Sequence, residues 1–278
     1  MYRIGAKPYP TKIMHDKLYE LILRGERLDG RGPYQYRPLE IKTSIIEKTD
    51  GSAMVNLGGT KIIAGVKTAL GQPYPDTPDQ GNIVVNAELL PLASSFFEPG
   101  PPDEKAIELA RVVDRCIRES KMLELDKLVY IPGRSVLVVY IDVYVLDYDG
   151  NYFDPSVLAS VAALATSKIP LYEVKDGEVI MNPEIRSSLP IRRFPVSVTI
   201  GLLGDKILVD PTSLEESAID TSIVLGWSDD DEMAAIQKNL QGLIQFGVMD
   251  EIINVSKEKA GELRTRLMEA VGRVGGTP

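Results

Sequence analysis

Apolar and polar residues alternate along much of this chain, and between the alternating stretches apolar residues recur at helical spacing. Alternation bounded by glycine turns predicts strands at 39–46, 52–57, 60–68, 82–89, 135–148, 196–203, 206–210 and 221–227. Apolar residues three and four apart predict helices at about 11–24, 103–121, 155–168 and 249–274. Strands and helices mixed in this order predict an α/β (α+β) fold.

The two halves of the chain resemble each other faintly. Segments 57–63 and 203–208 read LGGTKII and LGDKIL, so each places a glycine turn before a Lys-Ile strand. This is a weak sign of a duplicated hairpin-plus-helix unit, because two short hairpins can match by chance.

The helix predicted at 103–121 has the clearest amphipathic pattern. Asp103 is a suitable N-cap, and Glu104 suits the positive end of the helix dipole. One side of the helix carries the apolar residues: Ala106, Leu109, Ala110, Val113, Cys116 and Ile117. This side is expected to face the core.

A row of three arginines lies opposite that apolar side. Arg111, Arg115 and Arg118 fall within about 60° of one another around the helix axis. Guanidiniums in such a row can grip successive phosphates. Spacing alone favours the other interpretation, a solvated face on which the arginines pair with acids of the same helix: Glu108 with Arg111, Asp114 with Arg118, and Arg115 with Glu119.

Composition narrows the class of protein. The 44% apolar and 26% charged residues are typical of a globular domain, and 31 basic against 40 acidic residues give a net charge of −9. At face value this acidity argues against a nucleic-acid binder.

The longest apolar stretch, 136–146, is interrupted by Asp142 and is too short to span a bilayer, and the first residues contain no apolar leader. We therefore expect a soluble, cytoplasmic protein without membrane contact.

Acidic residues after the predicted strand 206–210 are candidates for chemistry. Asp210, Glu215 and Glu216 could hold Mg²⁺ or protonate a leaving oxygen. The favoured alternative is helix capping, because Thr212 to Glu215 and Ser213 to Glu216 both match the capping-box spacing.

Other candidate sites are weaker. Residues 228–232 resemble a fragment of a calcium loop but lack its spacing and its distal glutamate, so a solvated loop is expected. Cys116, the only cysteine, excludes an internal disulfide and a CxxC zinc site. Cys116 and His15 make a poor nucleophile–base pair, since a thiol on the core side of a helix is inert.

Several motifs together resemble the ribonuclease PH superfamily. The runs that carry this resemblance are RLDGR at 27–31, YRPL at 36–39, DGSAMV at 50–55 and LGGT at 57–60. Within the superfamily, FEPGPPDE at 97–104 and ELARVVDR at 108–115 closely resemble the non-catalytic ring subunits of archaeal exosomes. The resemblance covers about residues 20–265.

The resemblance implies a ribonuclease PH fold, a duplicated βαβ-containing unit of the ribosomal protein S5 domain 2-like type. On that basis we divide the chain into an N-terminal helical segment at 1–26, a first ribonuclease PH-like half at 27–170, a connecting segment at 171–189, and a second half with the C-terminal helix at 190–278.

The resemblance also implies partners. Such subunits alternate with a homologous catalytic subunit in a hexameric ring, a trimer of heterodimers, which associates with RNA-binding cap subunits. The ring degrades single-stranded RNA from its 3′ end with inorganic phosphate as the attacking group.

Two departures from the family pattern argue against catalysis by this chain itself. Catalytic members hold phosphate with a Gly-Ser/Thr-Arg turn and carry two aspartates six residues apart. Here Phe153 stands where that arginine would be, and Asp210 is followed six positions later by Glu216. The resemblance thus implies no catalytic residue, no metal and no cofactor in this chain.

RNA contact is the role that the resemblance implies for the arginine row. Arg111 and Arg115 match arginines that these subunits direct toward RNA near the partner's active site, and Arg118 has weaker support. The family therefore reverses the preference for a solvated face. An active phosphorolytic exoribonuclease using Asp210 and Glu216, and an assembly scaffold without RNA contact, remain the alternatives.

Overall fold

The computed structural model describes residues 12–229 and 231–272. Five α-helices lie within this part of the chain: α1 Lys12–Leu23, α2 Glu104–Glu119, α3 Phe153–Ala165, α4 Ser213–Glu216 and α5 Met249–Ala270. The strands of the first half are β1 Leu39–Thr43, β2 Gly51–Leu57, β3 Thr60–Gly71, β4 Asn82–Leu89, β5 Val129–Ile131 and β6 Ser135–Asp147. Those that follow are β7 Lys168–Lys175, β8 Glu178–Ser188, β9 Val196–Leu203, β10 Lys206–Val209, β11 Thr221–Trp227 and β12 Met233–Asn239.

The strands form two main sheets and one hairpin. The first sheet has the order β1-β2-β3-β6-β4, with β5 added to β6, and its strands are antiparallel except for the parallel pair β4 and β6. The second sheet has the order β10-β9-β11-β12 and is antiparallel throughout. Strands β7 and β8 form a separate two-stranded sheet.

Helix α3 lies between the two main sheets, because it contacts β2 and β3 on one side and β9 on the other. All its residues from Phe153 to Leu164 are buried. A predominantly apolar helix needs such a position, its buried Asp154 accepts hydrogen bonds from Ser197 and Thr199 of β9, and the alanines among its residues allow both sheets to approach. The core is therefore continuous from one half of the chain to the other.

Helix α2 packs along the outside of this core. It contacts β4 of the first sheet, β12 of the second, and α3. Its buried residues are Ala106, Leu109, Val112, Val113, Cys116 and Ile117. The predicted core face is thus nearly right, with Val112 buried and Ala110 only half-buried. The arginine row consequently lies on the outer side of α2, with Arg115 beside β12 of the second sheet and Arg118 beside β4 of the first.

The structure corrects several predicted elements. Strand β1 ends at Thr43 and not at residue 46, and the third helix begins at Phe153 and ends at Ala165. Strands β7, β8 and β12 were not predicted, so the segment 171–189 lies largely within a hairpin. The last helix ends at Ala270, and residues 273 and 274 of its predicted span lie outside the described residues, as does residue 11 of the first helix.

Candidate nucleic-acid interface

Helix α2 is fixed at its start by the cap that its sequence predicts. The Asp103 side chain accepts a hydrogen bond from the backbone N–H of Ala106 at 2.9 Å. With this cap and a buried apolar face, α2 is a rigid support for the side chains on its outer side.

Arg111 and Arg115 lie on that outer side, and their surroundings differ. Arg111 is exposed, and its guanidinium has no hydrogen-bond or ion-pair partner among residues 12–229 and 231–272. Arg115 is half-buried; its Nη2 donates to Gln237 Oε1 at 2.6 Å and its Nε to the Arg111 carbonyl at 3.4 Å. Both Nη1 hydrogens of Arg115 remain available to a ligand.

Arg118 lies in a different environment. Its Nε and Nη2 donate to the two oxygens of Asp114 at 3.1 Å and 2.7 Å, and Nη2 also donates to the Ile83 carbonyl at 3.0 Å. This is the predicted pair between Asp114 and Arg118. The other two predicted pairs, Glu108 with Arg111 and Arg115 with Glu119, do not form within the described part of the chain.

The first two arginines line one open cleft of about 530 Å³ between α2 and β12. Its other lining residues are Glu104, Lys105, Ile107, Glu108 and Gln237. A second, more apolar depression of about 320 Å³ lies on the opposite flank of α2, and Arg111 borders both. The cleft therefore offers two guanidiniums with free donors, which is what a phosphodiester backbone requires.

A second cluster of arginines and carboxylates is buried where the two halves of the chain meet. Asp210 is fully buried, and its Oδ2 accepts from the Arg37 backbone N–H and Nε, both at 2.9 Å, and from Arg31 Nη1 at 3.1 Å. Its Oδ1 accepts from Arg37 Nη2 at 2.7 Å and from Asn151 Nδ2 at 2.8 Å. The lone pairs of this carboxylate are thus occupied by protein donors, which leaves it unfit to bind Mg²⁺.

Glu216, the other half of the candidate acidic pair, is also engaged. One oxygen accepts from the Asn151 backbone N–H at 2.7 Å, and the other accepts from the Tyr148 hydroxyl. Burial raises the pKa of Glu216 above its usual value, although the bonds from Asn151 and Tyr148 oppose the shift. The two acids share the donor residue Asn151, so they belong to one internal network.

The turn that would hold phosphate in a catalytic relative is filled as well. Phe153 is buried, and its ring contacts that of Tyr152 with centroids 4.7 Å apart. Gly150 has φ +82°, and a Cβ there would meet the backbone at Thr212 at 2.4 Å, so only glycine fits this approach between the halves. An apolar ring and a closed backbone contact cannot cradle a phosphate dianion.

Glu215 caps α4, as the preferred interpretation predicts. Thr212 and Glu215 form the capping box, whereas the alternative box of Ser213 and Glu216 is not used. The Glu215 carboxylate also accepts two hydrogen bonds from Arg27, from Nε at 2.8 Å and from Nη2 at 2.6 Å. Both side chains of this ion pair are fully buried.

The remaining candidates show no arrangement for chemistry. Cys116 is buried, and burial raises the pKa of its thiol to about 12; the side chain of His15 lies outside the described residues. Within 12–229 and 231–272 no three His, Cys, Asp or Glu side chains converge as metal ligands would, at 228–232 or elsewhere. None of the helices in these ranges combines the length and the apolarity that crossing a bilayer needs.

Sequence reasoning missed the donors that hold these acids. The sequence shows Arg27, Arg31 and Arg37 as members of the RLDGR and YRPL motifs. Their spacing does not predict that they bind neighbouring carboxylates. Gln237, which contacts Arg115, was missed because β12 was not predicted. One signal in the sequence could have suggested the buried network. Three arginines precede the first predicted strand, and the acids Asp210 and Glu215 far along the chain need cationic partners if they are buried.

Two sheets packed on a shared, largely apolar helix, with a buried network of arginines and carboxylates where they meet, are consistent with the ribonuclease PH fold, and the family comparison identifies it. The model "3′ exoribonuclease family, domain 1" matches residues 35–170, and "3′ exoribonuclease family, domain 2" matches residues 193–259. The chain belongs to the 3′ exoribonuclease family. The resemblance to the ribonuclease PH superfamily is thereby confirmed.

The individual relatives belong to a more specific group than the family models, because they are components of exosomes. The chain is 48% identical over 262 residues to the exosome complex component Rrp42 of Thermococcus gammatolerans, which covers 94% of this chain and 96% of that one. A chain of the Archaeoglobus fulgidus exosome solved with RNA bound to the active site matches with a TM-score of 0.83 and 47% identity, over 91% of this chain and 96% of that one. A chain of an archaeal exosome core matches with a TM-score of 0.81 and 42% identity, over 92% and 96%.

Proposed function

We propose that this chain is a non-catalytic ring component of an exosome that degrades RNA from its 3′ end with phosphate. In this function it contributes no reacting group, and it binds single-stranded RNA beside the active site of a homologous catalytic chain. Its relatives carry the name of an exosome component over nearly their full length. The observation that carries the proposal is the contrast between an open arginine cleft and a buried Asp210 whose two oxygens are both filled by protein donors.

Three arginines form the proposed RNA contact, in a definite order. Arg111, with no partner in the described ranges, and Arg115, with two free Nη1 hydrogens, carry most of it. Arg118 contributes least, because its Nε and Nη2 already donate to Asp114 and Ile83. The net charge of −9 does not oppose this, since binding depends on local potential and distant charges are screened over about 8–10 Å at physiological salt.

The partners follow from the proposed function. The chain alternates with its catalytic homologue in a hexameric ring, a trimer of heterodimers, that receives RNA from RNA-binding cap subunits, and this assembly works in the cytoplasm. We also propose that the division into 1–26, 27–170, 171–189 and 190–278 describes its domains. An RNA contact on α2 of this chain then completes a site whose reacting groups lie on the neighbouring chain.

Replacing Arg111 and Arg115 together by alanine tests the RNA contact. In a ring assembled with the catalytic homologue, the double variant should lose at least about a hundredfold in affinity for single-stranded RNA, since two charge-assisted contacts worth about 1.5–3 kcal/mol each are removed. The slope of log K against log salt should flatten by about 1.4, because two counterion-releasing contacts to a single strand are removed. Fluorescence anisotropy in phosphate-free buffer measures both, since phosphorolysis cannot proceed there.

The alternatives predict other outcomes. A scaffold without RNA contact predicts unchanged affinity in a variant that still forms the ring on size-exclusion chromatography. An enzyme acting through Asp210 and Glu216 predicts that the chain alone, given RNA, phosphate and Mg²⁺, releases nucleoside diphosphates. Their absence under conditions in which the assembled ring is active counts against that alternative.

A further inference from the structure

Gln237 connects the two halves of the chain at the arginine cleft. It lies on β12, the edge strand of the second sheet, and it is half-buried against α2. Its Oε1 accepts a hydrogen bond from Arg115 Nη2 at 2.6 Å, and its Nε2 donates to Glu108 Oε1 at 2.8 Å and to the Lys238 carbonyl at 3.4 Å. One neutral amide therefore stands between a cation and an anion of the same helix.

We propose that Gln237 is a positioning residue for RNA binding, which holds Arg115 in its binding orientation and keeps Glu108 from neutralising the arginines. This inference rests on the proposed function, because it concerns the same cleft. Gln237 acts through Arg111 and Arg115 and does not itself contact the RNA.

Hydrogen bonds fix the orientation of the Arg115 side chain. Its Nε–H and one Nη2–H are directed to the Arg111 carbonyl and to Gln237. The three hydrogens that remain, two on Nη1 and one on Nη2, lie at the end of the guanidinium and form the fork that a phosphate accepts. A side chain held in this way loses less conformational entropy when RNA binds.

Gln237 also engages Glu108. Glu108, Arg111 and Arg115 follow one stripe of α2, at separations of three and four residues that normally allow ion pairs. In the structure, a Glu108 oxygen is occupied by the Gln237 amide instead, and Arg111 pairs with no acid among residues 12–229 and 231–272. Without Gln237, this carboxylate is free to pair with either arginine and to compete with phosphate.

Position 237 carries an amide. An amide offers an acceptor to Arg115 and a donor to Glu108 without adding charge. A carboxylate at position 237 would pair with Arg115 and would repel Glu108. The neutral side chain therefore satisfies both neighbours while the full charge of the arginines remains for the ligand.

The test compares Gln237→Leu in two backgrounds of the assembled ring. In the otherwise unchanged ring, Q237L should weaken binding of a fluorescein-labelled oligoadenylate roughly threefold to tenfold, the effect of one or two lost hydrogen bonds. In the R111A/R115A ring, Q237L should cause no further loss, because the groups through which it acts are gone. Gln241→Leu, the same change at an exposed glutamine of the following loop, should leave affinity unchanged.

A second substitution separates positioning from a general structural role. Adding Glu108→Gln to Q237L removes the competing carboxylate, so RNA affinity should return most of the way while the lost hydrogen bond to Arg115 remains unrepaired. A variant that had merely loosened the contact between α2 and β12 would gain nothing from E108Q.

The possible results distinguish the inference about Gln237 from the proposed RNA-binding function. A normal affinity of Q237L, or an equal loss in the R111A/R115A background, overturns the inference while the RNA-binding function stands. An R111A/R115A ring that binds RNA normally overturns the proposed function itself, and the inference with it. Failure of E108Q to restore affinity shows that Gln237 supports the fold and does not set the charge of the cleft.

Discussion

The arginine cleft on α2 and the buried network at the junction of the halves contain the same residue types but opposite arrangements. At the junction, Arg37 and Asp210 satisfy each other through several hydrogen bonds away from water. In the cleft, Arg111 has no acidic partner within the described residues, and Arg115 donates to a neutral amide. An arginine whose donors are all used within the protein stabilises the fold, whereas one with unused donors can bind a ligand.

The same comparison explains how a chain can belong to a family of exoribonucleases without a reaction centre of its own. Both oxygens of Asp210 accept from several protein donors, and each oxygen of Glu216 accepts one hydrogen bond from the protein, so the two acids are held in an internal network. The network joins residues of the first half, such as Arg27, to residues of the second, such as Glu215. The candidate acidic pair is therefore part of a structural contact between the two halves.

A substitution in the buried network should have the largest effect on the free energy of unfolding. Replacing Arg27 by alanine removes both close charge-assisted hydrogen bonds to the buried Glu215 carboxylate and leaves Arg31 Nη2 as its cation at 3.9 Å, so the free energy of unfolding should fall by about 3–5 kcal/mol. Denaturant titration measures this. Arg111→Ala is the matched control, and its effect should stay within about 0.5 kcal/mol, as for an exposed side chain without partners. Equal losses in both variants would remove the distinction between the two regions.

Placing the family's missing cation at the junction should also fail to create a catalyst. Phe153→Arg puts a charge in a buried position that an aromatic ring now fills, beside an Asp154 carboxylate that already accepts from Asn151, Ser197 and Thr199, so the free energy of unfolding should drop by several kcal/mol. The purified variant chain should release no nucleoside diphosphate from RNA and phosphate. Phe153→Leu is the control for lost ring volume. Phosphorolysis by F153R would show that the acidic pair is accessible after all.

A smaller effect is expected from the pH dependence of Glu216. Its pKa is raised by burial in the folded chain, so the folded state holds this proton more tightly than the unfolded state does. The contribution is fully present below the ordinary value of 4.5 and is lost as the pH rises through the folded pKa. Calorimetry across this range should show a flatter decline in stability for Glu216→Gln. A parallel decline in both proteins would assign the effect to other groups.

The smallest effect is expected at the arginine cleft, from the replacement of Arg118. Arg118→Ala should weaken RNA binding by the assembled ring less than about threefold, since its main donors are spent on Asp114 and Ile83 and exposed ion pairs contribute little. Anisotropy under the conditions used for R111A/R115A measures the change. A loss as large as that of Arg111 would mean that the Asp114 pair opens when RNA binds.

Much of the fold could be predicted from local pattern, and the misses have local causes. Alternation between glycine turns places β2, β3 and β9 almost correctly. Strands β7 and β8 contain Pro170 and Pro183, which argue against a strand in any local reading. Strand β12 is rich in alanine and long polar side chains, which have little preference for strands. These strands exist because tertiary pairing outweighs local preference.

The candidate site divides in the same way. Asp103, the apolar face and the arginine stripe of α2 follow from the sequence, because a capped amphipathic helix fixes which residues share a side. Whether each arginine is free could not follow, since all three have potential acidic partners at helical spacing. Of the three, only Arg118 forms the ion pair that its spacing allows, with Asp114. Glu108 instead accepts a hydrogen bond from Gln237 of β12 and does not pair with Arg111.

The elements with strong periodicity, the family, the helix side that carries the arginines, and the presence of Phe153 where the family has an arginine can all be read from the sequence. Only the tertiary structure decided that Asp210 is saturated by Arg37, that Glu215 belongs to Arg27, and that Gln237 enters the cleft. The physical reason is range: periodicity and capping act over a few neighbouring residues. A buried charge instead takes its partner from wherever the fold brings one, here from more than 170 positions away along the chain.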